Sequence, residues 1–163
     1  MRSAAGLRLT ALAAASLALG AGAPLQADSG APGGCTGPES PHWVNVAVEG
    51  LRNSNGVVTL TLYPDDPARF LKPRGSLYVT KVNARAGLAH ACIHVPAPGA
   101  YGLALYHDEN ANGKIDRNGL GIPKEGFGFS NNPRIFLSAP GFAKVRFIAP
   151  SGGSSTRIKM KYP

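Results

Sequence analysis

Past residue 42, apolar side chains recur at every second position in short runs, and no long helical period appears anywhere. A period of two is that of a strand with one buried face. In Trp43–Val48 the side chains of Val44, Val46 and Val48 share a face. In Val57–Tyr63, Val58, Leu60 and Leu62 point one way and Thr59 and Thr61 the other. Leu77–Val82, Leu88–Val95 and Ala100–Tyr106 follow, the last with Tyr101, Leu103 and Leu105 on one face. Phe142–Ile148 and Thr156–Tyr162 complete the set, and in the final run Ile158, Met160 and Tyr162 alternate with Arg157, Lys159 and Lys161. Turn residues punctuate these runs: 21 Gly and 14 Pro exclude a helical bundle. The expected fold is all-β, an antiparallel β-sandwich of about seven strands, immunoglobulin-like or transthyretin-like, with one long ordered loop. Asn53-Ser54-Asn55-Gly56 suits a turn with positive φ, so the first two strands are expected to form a hairpin. Asp66, followed by Pro67, is expected to cap one helical turn over Asp66–Leu71.

The N-terminus has a different composition. Arg2 and Arg8 precede an uncharged Ala/Leu run, Leu9–Leu19. Its length fits a secretory signal and falls short of the roughly 18 residues that cross a bilayer. Residues 1–27 are therefore expected to be a signal peptide, cut after Ala27 (or after Ala23), residues 28–42 a strap and 43–163 the sandwich domain. That predicts a periplasmic or secreted protein with no transmembrane segment in the mature chain. Pro32, Gly33 and Gly34 before Cys35 do not make a lipidation signal. In an oxidising compartment Cys35 and Cys92 are expected to pair. Closing that loop restrains the unfolded chain by about 4 kcal/mol in the chain-entropy picture. The formal charge of +8 falls to +6 once Arg2 and Arg8 are removed. Outside the cytoplasm this does not point to nucleic acid.

One connection, residues 107–141, is unusually long for a compact domain, and such loops are commonly functional. It opens Asp108-x-Asn110-x-Asn112-Gly113, the spacing of a calcium loop, with oxygen side chains at alternate positions and a glycine at the sharp turn. The backbone carbonyl of Lys114 and the carboxylate of Asp116 would be the next ligands. The twelfth position is Gly119, where an EF-hand needs a bidentate Glu, so an EF-hand is excluded. Two readings stay open: a calcium site built from Asp108, Asn110, Asn112, Lys114 and Asp116, or a turn-rich loop held by its own side-chain hydrogen bonds.

The run from Gly99 to Asp116 (GAYGLALYHDENANGKID) and the run from Leu120 to Asn132 (LGIPKEGFGFSNN) resemble the DUF2141 family. The resemblance extends from about Trp43 to Tyr162. It implies an exported bacterial β-sandwich with no assigned biochemical function and no established catalytic residues. The positions matching its motif are His107, Asp108, Asn110, Asn112, Gly113, Asp116, Gly121, Pro123, Glu125, Gly126, Gly128, Phe129, Ser130 and Asn131. Phe127 stands where the family often has Tyr.

Several chemistries compete for these residues. His90-x-Cys92-x-His94 on one side of a strand could hold a transition metal, unless Cys92 is committed to Cys35. Asp108, Asp116 and Glu125 could serve a hydrolase if the fold brought them together. Gly128-Phe129-Ser130 lacks the second glycine of a nucleophile elbow, and His107 and Asp108, as strand neighbours, should point apart. Lys144, Arg146, Arg157, Lys159 and Lys161 would form one cationic face if the last two strands paired, suited to anionic polymers or lipid headgroups. The expected function is a monomeric, non-enzymatic envelope binding or accessory module. Its surface would be the 107–132 loop, with calcium as the one candidate cofactor and an envelope ligand or protein as the partner. A hydrolase using Asp108, Asp116 and Glu125, or a His90/His94 metal site, is the alternative.

Overall fold

A computed structural model describes residues 34–136 and 138–163 of the chain. The expected signal peptide and the first residues of the strap lie outside the described residues. Eight strands are described: β1 (Trp43–Leu51), β2 (Val57–Pro64), β3 (Tyr78–Asn83), β4 (Gly87–His94), β5 (Gly99–Asp108), β6 (Phe127–Phe129), β7 (Arg146–Ala149) and β8 (Gly153–Lys159). One short helix, α1 (Phe142–Val145), precedes β7. The strands form a sandwich of two sheets. One has the order β4-β1-β8; the other has β3-β2-β5-β6, with β7 also beside β5.

The alternating side chains pack between the sheets as expected. Val44, Val46 and Val48 of β1 and Ala89, Ala91 and Ile93 of β4 meet Val58, Leu60 and Leu62 of β2 and Leu103 and Leu105 of β5, with Ile158 of β8 closing the layer. A second apolar cluster covers the outer face of the larger sheet: Tyr63, Phe70, Ala104, Phe129, Phe142 and Val145. Phe70 sits edge-on to Tyr63, Phe129 and Phe142, the favoured aromatic geometry. The centre of β5 is therefore buried on both faces.

The pairing departs from expectation in four places. First, β1 and β2 are not a hairpin: β1 pairs with β4 and β8, β2 with β3 and β5. Residues 52–56 arch from one sheet to the other. Period-two patterning states which face is buried but not which strand is the neighbour. Gly56 is still required, since its φ is +62° and a Cβ there would lie 1.9 Å from the Asp108 carbonyl oxygen. Second, β1 and β8 run parallel, so the smaller sheet is mixed. Third, Phe142–Ile148 is not one strand. Phe142 and Val145 are three apart and bury together on α1, and only Arg146–Ala149 is extended. Fourth, β8 starts earlier than the expected Thr156, because Gly153–Ser155 pairs with Trp43–Asn45, and the Trp43 ring leaves no room for a Cβ at Gly153. Around Asp66 the chain turns with the Asp66 carboxylate accepting from Ala68 N–H at 2.8 Å, as a cap would, but no helix follows.

The cationic face that pairing of the last two strands would make is not formed, since β7 and β8 lie in different sheets. Arg146 makes a two-pronged bond to Asp65, at 2.7 and 2.8 Å. Lys161 donates to the Pro133 carbonyl, and Arg157 approaches Glu49.

Three devices reinforce the sandwich. Beyond β8, Lys161 and Phe127 exchange backbone bonds of 2.8 and 2.9 Å, stitching β6 to the smaller sheet along one side. On the other side the strap lies on β4. Cys35 is bridged to Cys92, and Thr36 pairs with Ile93, accepting from His94 N–H and donating to the Cys92 carbonyl. The third device lies on the edge of β5. There β7 pairs with residues 99–102 and β6 with 104–106, which leaves Leu103 between them. Ser130 fills that gap: its N–H donates to the Leu103 carbonyl and its Oγ accepts from Leu103 N–H, both at 3.0 Å, while its hydroxyl donates to the Val145 carbonyl. Leaving a buried amide without its acceptor costs about 1–3 kcal/mol. Ser130→Ala is thus expected to lower stability by about 2 kcal/mol in urea unfolding with the sandwich retained; an unchanged midpoint would show that Leu103 does not depend on Ser130.

Candidate functional site

The loop that leaves β5 is held by its own acidic and amide side chains. Asp108, fully buried, accepts from Asn112 N–H (2.9 Å) on one carboxylate oxygen and from Gly113 N–H (2.8 Å) on the other. Glu125, also buried, reaches back from the far end of the loop and accepts from Glu109 N–H (3.0 Å) and Asp116 N–H (2.9 Å). Asn110 and Asn112 each accept an amide two residues on, from Asn112 and Lys114. Both turn their side-chain NH2 groups onto the Asp116 carboxylate, at 2.8 and 3.1 Å. These bonds, first from Asn112 and then from Asn110, hold Asp116 below the usual carboxylate range. The Asp-x-Asn-x-Asn-Gly spacing thus builds successive side-chain-to-amide turns. Each of the side-chain oxygens that the calcium reading would use already has an N–H partner. Among the described residues, no group of three His, Cys, Asp or Glu side chains is placed to hold a metal ion.

The tip of the loop is a tight hairpin. Arg117 and Pro123 bridge, Asn118 Oδ1 accepts from the N–H groups of Leu120 and Ile122, and the Arg117 guanidinium bonds the Gly121 carbonyl at 2.7 Å. Leu120 and Ile122 project outward, Leu120 with 85% of its surface exposed.

At the root of the loop, His107 and Asp108 point apart, as expected of neighbours on a strand. His107 is fully buried. Its Nε2 lies 2.8 Å from the Asn55 carbonyl, which can only accept, so Nε2 carries a proton. Its Nδ1 lies 2.7 Å from the Tyr162 hydroxyl, which in turn accepts from Arg52 N–H. The Arg52 guanidinium lies over the Tyr162 ring and meets Glu109 at 2.6 Å, and Asn53 donates to the other Glu109 oxygen at 3.0 Å. Gly126 is required beside this cluster, because a Cβ would meet the Tyr162 ring at 2.4 Å. Arg52, Asn53, Asn55, Glu109 and Tyr162 were not singled out from sequence. Tyr162 is 110 residues from Arg52, and its only sequence signal is its inward place in the final alternation.

The last part of the motif is structural. Gly128 packs against Ile158 and Leu105, Phe129 joins the outer apolar cluster and Ser130 closes the β5 gap. Asn131, with φ +62°, donates to the Arg146 carbonyl of β7. Asn132, with φ +49°, takes Arg157 and Lys159 of β8 as a neighbouring strand would. Three consecutive polar residues therefore clasp β5, β7 and β8.

The other candidates are dispersed. Asp108 takes the amides of residues 112 and 113, Glu125 those of 109 and 116, and Asp116 faces two asparagines, so each of the three carboxylates is already occupied by N–H donors. The Cys92 sulfur is bonded to Cys35 and is no thiolate ligand. His94 is buried beneath the strap and donates from Nδ1 to the Ser40 carbonyl at 3.0 Å, whereas His90 is exposed.

Glu109 links this network to pH. Burial alone would raise its pKa, but the bond from Asn53 and the bond and charge of Arg52 outweigh it and hold the carboxylate below the usual range. A depressed carboxylate contributes stability that is complete above the ordinary range near pH 4 and is lost as pH falls through its folded value. The melting temperature is expected to drop on acidification below about pH 4, with a shallower drop in Glu109→Gln. Parallel acid profiles would exclude Glu109 as a contributor.

Residues 46–159 match the family model for uncharacterised proteins conserved in bacteria, DUF2141. No curated protein and no solved structure shows a significant match. The matched stretch runs from within β1 to the end of β8 and contains the entire carboxylate-held loop. The chain therefore belongs to the DUF2141 family.

Proposed function

We propose that this protein is a non-enzymatic binding or accessory module of the bacterial envelope, acting outside the cytoplasm, with the 107–132 loop as its recognition surface. The observation that carries this reading is the direction of the loop's polar groups. Asp108 and Glu125 are turned inward onto backbone amides, and Asp116 is held by two asparagines. Groups so engaged stiffen a surface; they do not stand ready to transfer protons to a substrate. A rigid loop on a rigid sheet pays little ordering entropy when it binds, which favours recognition. The compartment is supported by the Cys35–Cys92 bridge and by the sequence of residues 1–27.

Hydrolysis by Asp108, Asp116 and Glu125 is the less favoured reading, since the oxygens of all three carboxylates are occupied by N–H donors. Calcium ordering is less favoured on similar grounds: a cation would have to displace bonds that already satisfy Asp108, Asn110, Asn112 and Asp116. Millimolar calcium is accordingly expected to leave the melting temperature unchanged, in wild type and in Asp108→Ala alike. A rise confined to the wild type would restore the calcium site.

The function itself is tested by an array of envelope components, including peptidoglycan fragments, lipopolysaccharide, phospholipids and envelope proteins. The wild type is expected to retain at least one class, and a variant with residues 117–123 replaced by a Gly/Ser turn is expected to lose it while melting normally. Retention that ignores the replacement would exclude the loop as the surface.

A further inference from the structure

The tip of the loop combines two properties that seldom coincide by accident of exposure. Leu120 is 85% exposed and Ile122 is 48% exposed, yet the backbone presenting them is tightly tied. Asn118 alone makes four of its bonds: its side-chain oxygen takes the Leu120 and Ile122 amides at 3.0 Å, its N–H donates to the Ile122 carbonyl at 2.9 Å, and its carbonyl accepts from Gly121 N–H at 2.9 Å. The Arg117–Pro123 bridge and the Lys124 N–H to Asp116 carbonyl bond of 2.8 Å continue the hairpin towards its base. Neither apolar side chain can fold back into the sandwich, so water meets both.

Cations surround the base. Lys114, Arg117 and Lys124 are exposed on the loop itself, and Lys81 of β3 reaches its Nζ to 3.9 Å from where a Cβ on Gly113 would be. One acid faces them, since the charges of Lys114 and Lys124 add to the asparagine bonds that hold the Asp116 carboxylate below the usual range, and the other acids are engaged elsewhere. Asp108 and Glu125 are buried against amides, Glu109, half-buried, is paired with Arg52, and Asp116, also half-buried and gripped by both asparagines, leaves the four cations in excess. The arrangement is an apolar point above a positive collar. A bilayer with anionic headgroups matches it layer for layer, since the acyl boundary accepts the apolar tip while phosphates meet the cations.

We propose that the Arg117–Pro123 hairpin is a membrane-docking element that inserts Leu120 and Ile122 into the headgroup–acyl boundary of an anionic bilayer, with Lys81, Lys114, Arg117 and Lys124 on the phosphates. This deepens the recognition role assigned to the loop and rests on it. Two side chains and four cations give a weak, reversible and salt-sensitive attachment rather than a permanent anchor.

The test is co-sedimentation of the chain from Asp28 onward, which contains every described contact, with vesicles of equimolar phosphatidylcholine and phosphatidylglycerol. The wild type is expected to pellet with these vesicles, to pellet weakly with phosphatidylcholine alone, and to be released by high salt. The double variant Leu120→Ser/Ile122→Ser is expected to partition about tenfold or more less strongly, with an unchanged melting temperature. Lys114→Gln/Lys124→Gln is expected to weaken binding to the anionic vesicles alone. Failure of the wild type to pellet would overturn the proposal, as would a double-serine variant that pellets equally, which would reduce the attraction to charge. If vesicles fail while a non-lipid envelope component is still retained through residues 117–123, the membrane inference falls and the recognition role stands. If both fail, the loop is not a binding surface.

Discussion

A backbone amide taken out of water must find an acceptor, and this chain meets that demand in two ways. Within the sheets the strands supply one another. Between β5 and β6 no strand is available, and a few carbonyls at the tip apart, the acceptors are side chains: both oxygens of Asp108, both oxygens of Glu125 and the amide oxygens of Asn110, Asn112 and Asn118. Glu125 matters most in this respect, because it joins residues 109 and 116 across the loop from a position already fixed beside β6. Without such acceptors a connection of this length would be costly to order. With them it becomes an extension of the scaffold.

The sandwich is shaped to carry that extension. The centre of β5 is covered on both faces, flanked by β2 on one edge and by β7 and β6 in succession on the other, with Ser130 sealing the break. Its last two residues emerge from this rigid strand in opposite directions. His107 turns to Tyr162 and the Asn55 carbonyl, tying the arch after β1 and the C-terminus to the root of the loop. Asp108 turns the other way and starts the loop's own bonding. The same dipeptide thus fastens the loop to both sheets and begins its internal order. On the opposite side of the sandwich the Cys35–Cys92 bridge and Thr36 do comparable work, covering the edge of β4, which would otherwise offer unpaired backbone groups.

Much of this was legible in the residues and some was not, for physical reasons. The sandwich could be read because alternation reports burial: Val44, Val46, Val48, Val58, Leu60 and Leu62 all lie in the core. The bridge could be read because two cysteines admit one pairing. The β1–β2 connection is an arch and not the hairpin expected, because alternation carries no information about neighbours and an Asn-Gly turn serves either. Phe142–Ile148 begins as a helix and not a strand, because Phe142 and Val145 fit a helical spacing that four residues are too few to declare. Of the loop, the Asx-turn alternative is what the bonding displays. Glu125's reach across it, the two-sided role of His107 and the Arg52–Tyr162–Glu109 cluster depend on contacts across 16 to 110 residues of chain. No local pattern encodes those.

The central claim is that side-chain carboxylates, rather than strands or a bound ion, give the 107–125 loop its order. Amide hydrogen exchange at Glu109, Asn112, Gly113 and Asp116, measured by NMR in metal-free buffer, tests it most directly. These four amides should exchange at least about a hundredfold more slowly than in an unstructured peptide, and Glu125→Ala should release Glu109 and Asp116 while sparing Asn112 and Gly113. Exchange of all four at unstructured rates in the wild type would contradict the account.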